Sequence, residues 1–286
     1  MLSMDAHEWD QKNKMSAQRC IVIGGKGFVG AGVVAAARER GYEVIALGRE
    51  DYAAAKGMPC EWLINANGNS RKFLARENPR LDFQLSVDSV YASLVDFNPR
   101  HYVFLSSIDV YANFSDPAHN HESTPLQPAA LSPYGLHKAI AEELVRYHRP
   151  DALILRMAGF VGPGLWKNPI FDLLTGQPLR VHPLSAYQYL HTHVLGETVF
   201  ALLAAGVRGE TFNVAGRGVI SLQEIAALIP ECQVPEQTDL SRERYEVSTE
   251  KVSGYVNLPA SEDTVWRFIR DVLQGRVPLG QGASAP

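Results

Sequence analysis

The chain has 286 residues, 46% of them hydrophobic and 20% charged. That balance suits one or two globular domains and excludes a disordered, collagen-like or coiled-coil chain. The formal net charge of −4 leaves no basic footprint for nucleic acid and no basic block for a membrane surface. No apolar run approaches the ~20 residues that span a bilayer. Three scattered cysteines, Cys20, Cys60 and Cys232, form neither a disulfide framework nor a metal-ligand spacing. A reducing, cytoplasmic setting is therefore expected, with no metal site.

Residues 1–17 are polar, lack an apolar signal core and read as a disordered leader. The apolar run 20–23 ends in Gly-Gly and reads as a buried strand. A helix is predicted over 28–40, stopped by Gly41. A strand over 43–47, a short helix over 51–56 and a strand over 62–65 come next. After Asn78-Pro79 a helical region runs over 81–97, then a strand over 102–105. The polar, Pro-rich stretch 113–133 reads as a loop. A helix over 134–147 and a strand over 152–155 complete the alternation. Strands alternating with helices imply an α/β fold, a doubly wound parallel sheet with helices on both faces. Beyond Gly159 the pattern loosens, with helices predicted over 170–174, 194–205, 221–229 and 261–273. Ser221 and Glu224 stand at capping-box spacing. The expected division is a Rossmann-type domain over 18–157, to which 193–215 returns, and a small C-terminal substrate-binding cap over 158–274. Residues 275–286 read as a flexible tail.

Gly24, Gly27 and Gly30 form a GxxGxxG turn between the first strand and helix. Glycine permits the tight turn and the close approach of a pyrophosphate, and the helix N-terminus attracts its charge. Phe28 and Val29 open that helix. The second strand ends Leu47-Gly48-Arg49 with no carboxylate at the strand end itself, although Glu50 and Asp51 follow. Gly48 leaves room, and Arg49 offers a fork of donors to a 2′-phosphate. This favours NADP(H), with NAD(H) as the alternative.

Ser107 follows the 102–105 strand, and Tyr134 and Lys138 stand four residues apart at the start of the next helix, on one face. A free tyrosine titrates near ~10, and a neighbouring ammonium favours the phenolate. Such a tyrosine exchanges a proton with an alcohol or ketone, while a serine hydroxyl orients the same oxygen.

Together these motifs resemble the extended short-chain dehydrogenases/reductases, the NAD(P)-dependent epimerase/dehydratase family. The matching residues are Gly24-Gly25-Lys26-Gly27-Phe28-Val29-Gly30, Ser107 with Val110-Tyr111, and Tyr134 with Lys138. Further matches run through Leu155-Arg156, Val161-Gly162-Pro163-Gly164, Tyr189-Leu190-His191 and Phe212-Asn213-Val214. The resemblance covers about residues 19–273. It implies Ser107, Tyr134 and Lys138 as the catalytic trio, with Lys138 also holding the nicotinamide ribose. It implies a cofactor-lining role for Asn67 and Gly68, a small-molecule sugar substrate linked to a nucleotide, and a homodimer formed through helices 81–97 and 134–147.

Departures from the family pattern narrow the chemistry. Ile108 and Asp109 stand where sugar-nucleotide dehydratases carry Asp-Glu, and isoleucine transfers no proton. Only about 14 residues separate Leu47 from Trp62, too few for the ~30 of a βαβ unit, so one strand on the adenine side is expected to be lost or compressed. Tyr187 stands where many nucleotide-sugar enzymes carry an arginine for the diphosphate. Asp109, Asn168 and His191 are candidate substrate contacts. His137 reads as a surface residue. The leading expectation is a ketoreductase of a nucleotide-linked keto-sugar; the alternatives are a C4 epimerase with the same trio and a non-catalytic cofactor-binding regulator.

Overall fold

The computed structural model describes residues 19–281 apart from 70, 233 and 235–238. The leader expected over 1–17 and the end of the tail lie outside the described residues. In chain order, β1 (Arg19–Ile23), α1 (Phe28–Glu39), β2 (Glu43–Leu47), α2 (Tyr52–Ala55) and β3 (Trp62–Asn65) come first. Next are α3 (Leu74–Glu77), α4 (Pro79–Phe83), a π-helical turn (Gln84–Asp88), α5 (Ser89–Asp96), β4 (His101–Ser107), α6 (Pro133–His148) and β5 (Leu153–Met157). Then follow β6 (Gly159–Val161), α7 (Pro169–Leu174), β7 (Ala186–Tyr187), β8 (Tyr189–His191), α8 (Thr192–Ala204) and β9 (Thr211–Val214). The described chain closes with β10 (Ile220–Ser221), α9 (Leu222–Ala227), β11 (Arg244–Tyr245), α10 (Glu250–Ser253) and α11 (Ser261–Leu273).

The main sheet has the order β2-β1-β3-β4-β5-β9, and every pairing in it is parallel. Side chains alternate between its faces. Cys20, Val22, Ile64, Val103 and Leu155 pack in one core with α1 and α8. Ile21, Ile23, Leu63, Phe104 and Ile154 pack in the other with α5 and α6. Both faces are covered, so the strands are mostly apolar along their length, as expected of a Rossmann-type α/β sheet. Strand order reverses between β1 and β3, and a ligand crevice forms at such a switch point, beyond the carboxyl ends of the strands. Only α2 lies between β2 and β3, and β2 is the outer strand of the sheet.

The helical region predicted over 81–97 is divided, because α4 passes into α5 through the π-turn. A π-turn rotates the following residues relative to an α-helix, and here Ser86 within it is fully buried. Residues of the second part form their own core, with Val161, Leu165, Ile170, Leu222 and Phe268 at its centre. Phe28 of α1 packs against this core and the sheet core alike. The Ser221–Glu224 capping box is present. The described part of the tail is docked on the 164–165 loop. Gly164 N donates to Pro278 O at 2.9 Å, and Gly280 N donates to Leu165 O at 2.8 Å. No helix among the described residues is long and apolar enough to cross a membrane.

Candidate active site

The turn after β1 is built for close approach. Gly24 has φ +75°, and a Cβ there would stand 2.9 Å from Ala66 O. A Cβ on Gly30 would meet Gly24 O at 2.2 Å, and the same oxygen accepts from Gly27 N at 2.9 Å. Gly27 caps α1 without any side-chain hydrogen bond. The first-turn N–H groups, those of Phe28, Val29 and Gly30, have no acceptor among the described residues and suit an anion. Asn67 and Gly68 follow β3 beside this turn, and Asn67 N donates to Asn65 Oδ1 at 2.9 Å. A Cβ on Gly68 would stand 3.0 Å from Lys138 Nζ. The glycine turn and the start of α1 fit the diphosphate of a dinucleotide.

At the end of β2, Gly48 N donates to Asp51 Oδ2 at 2.8 Å. Lys26 bridges Glu50 at 2.8 Å and Asp51 at 2.6 Å. Arg49 is exposed. Two cations and two carboxylates thus share the strand end.

Two elements bring the trio together. Ser107 ends β4, while Tyr134 and Lys138 lie one turn apart on α6, and all three are buried. Ser132 starts α6 by accepting from Gly135 N at 3.1 Å, with Pro133 in the first turn. The Ser107 hydroxyl donates to Asp109 Oδ2 at 2.7 Å, and Lys72 pairs with Asp109 Oδ1 at 2.7 Å. The ammonium expected to lower the Tyr134 pKa does not prevail. Burial, then the Asp109 charge, push the phenol above its usual value, and the Ser107 hydroxyl pulls the other way. Lys138 is lowered to about 8 by burial, against the charges of Asp82, Glu142 and Asp109. Its Nζ lies 3.5 Å from Leu105 O and 5.2 Å from the Phe104 ring centroid.

Asp82, which sequence reasoning missed, is fully buried near Lys138. Its Oδ1 accepts from Asn69 Nδ2 at 2.6 Å and Ser86 Oγ at 3.3 Å, and its Oδ2 meets His137 Nδ1 at 2.5 Å. His137 is therefore no surface residue: its side chain keeps only 12% of its exposure, because α4 covers that side of α6. A second buried network lies one turn further along α6. Glu142 accepts from Arg156 Nη2 at 2.8 Å and from Ser106 Oγ at 2.6 Å, which ties α6 to β4 and β5. Arg156 Nη1 donates to Tyr111 OH at 2.9 Å, and Tyr111 donates to Asn213 Oδ1 at 2.8 Å.

The remaining candidates divide. Asp109 sits in the site, between Ser107 and Lys72. Asn168 is engaged by its own fold: Oδ1 accepts from Phe171 N at 2.9 Å, and Nδ2 donates to Phe160 O at 3.0 Å. His191 caps α8, its Nδ1 accepting from His193 N at 3.1 Å. Burial, then the His193 charge, lower its pKa. The Tyr187 hydroxyl donates to Glu243 Oε2 at 2.7 Å.

A parallel sheet with a glycine cradle and a buried Ser-Tyr-Lys cluster defines a nucleotide-dependent oxidoreductase class. The family model for the NAD-dependent epimerase/dehydratase family matches residues 20–86 and 81–215, and the chain belongs to that family. It is an NAD(P)-dependent enzyme of the extended short-chain dehydrogenase/reductase type. Curated protein sequences give no match. Among solved structures, a UDP-galactose 4-epimerase superposes with a TM-score of 0.75 at 22% identity, over 90% of this chain and 99% of that one. The dTDP-4-dehydrorhamnose reductase of Bacillus anthracis str. Ames, in complex with NADP, gives 0.73 at 14% identity, over 89% and 98%. A UDP-glucuronic acid 4-epimerase variant from Bacillus cereus, with NAD, gives 0.72 at 14%, over 90% and 99%. At these identities the likeness is one of fold.

Proposed function

We propose that the chain is an NADP(H)-dependent ketoreductase of a nucleotide-linked keto-sugar, with Ser107, Tyr134 and Lys138 as its catalytic residues. The observation that carries this reading is the burial of Tyr134 and Lys138 one turn apart, Tyr134 against Ser107 and Lys138 against Gly68. When bound, the nicotinamide supplies the hydride. Tyr134 gives its phenolic proton to the carbonyl oxygen of the substrate. Its raised pKa keeps that proton in place until negative charge develops. Ser107 orients the oxygen, and Asp109 fixes the Ser107 hydroxyl. Lys138 donates to the nicotinamide ribose and lowers the cost of the phenolate that Tyr134 becomes. Ile108 offers no proton for a dehydration.

Arg49 supports the NADP(H) assignment. Lys26 is already engaged by Glu50 and Asp51, and Arg49 has no ion-pair partner among the described residues. Homodimerisation through α5 and α6 belongs to the same reading. Tyr91 and Val95 of α5 and Tyr147 of α6 are exposed apolar residues. His148 links the Tyr91 and Tyr147 rings.

The test is incubation of purified protein with NADPH or NADH and a panel of UDP- and dTDP-linked keto-sugars. The reading expects stoichiometric NADPH loss, a preference for NADPH that Arg49→Ala reduces, and severe loss of turnover in Tyr134→Phe with cofactor still bound. Isomerised product without net cofactor loss would establish the epimerase instead. A preference for NADH would overturn the cofactor assignment.

A further inference from the structure

The cleft beside Ser107 carries more positive charge than its own carboxylates balance. Arg71 and Lys72 follow β3, and Lys167 follows the Gly162–Gly164 turn of the second part. Arg71 and Lys167 converge on one indole. The guanidinium carbon lies 5.7 Å from the Trp166 ring centroid, and the Lys167 Nζ lies 5.2 Å from it. Neither side chain has a carboxylate or other hydrogen-bond partner among the described residues, unlike Lys72, which pairs with Asp109 at 2.7 Å. Three cations therefore face a single carboxylate. The tail strap over Gly164 and Leu165 holds the Trp166–Lys167 corner in place.

We propose that Arg71, Lys72 and Lys167 form an anion subsite beside the catalytic centre, and that the reacting portion of the substrate carries a carboxylate there. This rests on the reductase reading for the identity of the reacting centre and narrows its substrate to a keto-sugar acid. A half-buried ammonium facing other cations is costly unless a ligand completes it. Burial, then Arg71 and Lys72, lower Lys167 to about 8. A carboxylate suits these donors, because its two oxygens can accept from a guanidinium fork and from an ammonium.

The position also separates a sugar carboxylate from a nucleotide diphosphate as the source of the anion. Lys72 is joined to Ser107 through Asp109 alone, at 2.7 Å on each side. On the reductase reading, an anion held at Lys72 lies near the reacting carbon rather than at the far end of a nucleotide. At the position where the resemblance places a diphosphate-binding arginine, Tyr187 is bonded to a carboxylate, Glu243. Charge in this cleft is concentrated at the reacting end.

Trace acetylation of the full chain near pH 8, mapped by mass spectrometry with Lys56 as internal standard, tests the subsite without turnover. D-Glucuronate, D-glucose and inorganic phosphate are compared at matched ionic strength. Glucuronate is expected to slow modification of Lys167 at least about threefold, with glucose inert and phosphate weaker than glucuronate. Equal protection by phosphate would assign the cluster to a phosphoryl group and overturn the carboxylate. No protection by any anion would overturn the subsite. In a calorimetric companion experiment, wild-type protein should bind UDP-glucuronate about tenfold tighter than UDP-glucose. Lys167→Met should erase that ratio and leave UDP-glucose affinity unchanged; equal loss for both sugars would again point to the diphosphate. Protection by glucuronate in a protein that oxidises no NADPH with any keto-sugar would refute the reductase reading and keep the subsite.

Discussion

Gly135, between Tyr134 and the rest of α6, controls how closely the helix approaches the β4 turn. A Cβ at Gly135 would stand 2.1 Å from Asp109 O and 3.0 Å from its carbonyl carbon, where ordinary contact begins at 3.4 Å. Gly135→Ala therefore forces a retreat of about 1.3 Å, the difference between those distances, and overpacking of this kind costs about 1–3 kcal/mol. The carbonyl belongs to the residue whose side chain fixes Ser107, so the retreat separates Tyr134 from Ser107. A misplacement of about 1 Å costs on the order of 100-fold in rate. The expected result is a kcat/KM for NADPH-dependent reduction reduced about 100-fold, in a folded protein that still binds NADPH. Steady-state kinetics read the first part, and thermal melts with NADPH fluorescence read the second. Glu143→Ala on the outer face of α6 is the control and should leave both unchanged. Activity within about threefold of wild type, at an unchanged melting temperature, would show that the approach of α6 to Asp109 does not position the trio.

Removing the buried Asp82 charge while keeping its shape, Asp82→Asn, should shift the alkaline limb of log kcat/KM to lower pH by at least about half a unit, since Asp82 favours the Lys138 ammonium. A profile identical to wild type would make Asp82 purely structural. In wild-type protein, kcat/KM should fall as pH rises through about 8, where Lys138 loses its proton, and a limb near the usual lysine value of 10.5 would contradict the burial argument. The same displacement has a stability consequence. Between about 8 and 10.5 the unfolded chain binds the Lys138 proton and the folded chain does not, so this group's contribution to stability rises with pH across that window, read as urea midpoints. Val95→Glu with Tyr147→Glu should convert a dimer to a monomer in light scattering; a wild-type monomer would remove the α5–α6 interface.

The parts legible in the sequence are those whose physics is local. An apolar run ended by Gly24-Gly25 marks β1, because a strand covered on both faces needs no alternation. Ser132-Pro133 marks the start of α6, where the four-residue spacing puts Tyr134 and Lys138 on one face. Asp82 was not legible. A carboxylate near the start of a helix predicted after Asn-Pro carries no local sign of burial, and only the π-turn and the packing of α4 on α6 bury it. His137 was misread for the same reason: helix periodicity locates a residue on its own helix and says nothing about what covers it.

The cationic cluster was hidden differently. Arg71 and Lys167 are 96 positions apart in the chain, and only Trp166 brings them to one ring. On the proposed reading the trio supplies a proton and hydride chemistry common to many substrates, whereas these non-local cations would select among them. On that reading, a cleft that leaves Arg71 and Lys167 without an ion-pair partner among the described residues, while bonding Tyr187 to Glu243, would favour an acid at its reacting end over a neutral sugar there. Specificity of this kind arises from charges that only the folded chain assembles, so it follows from tertiary packing rather than from any motif.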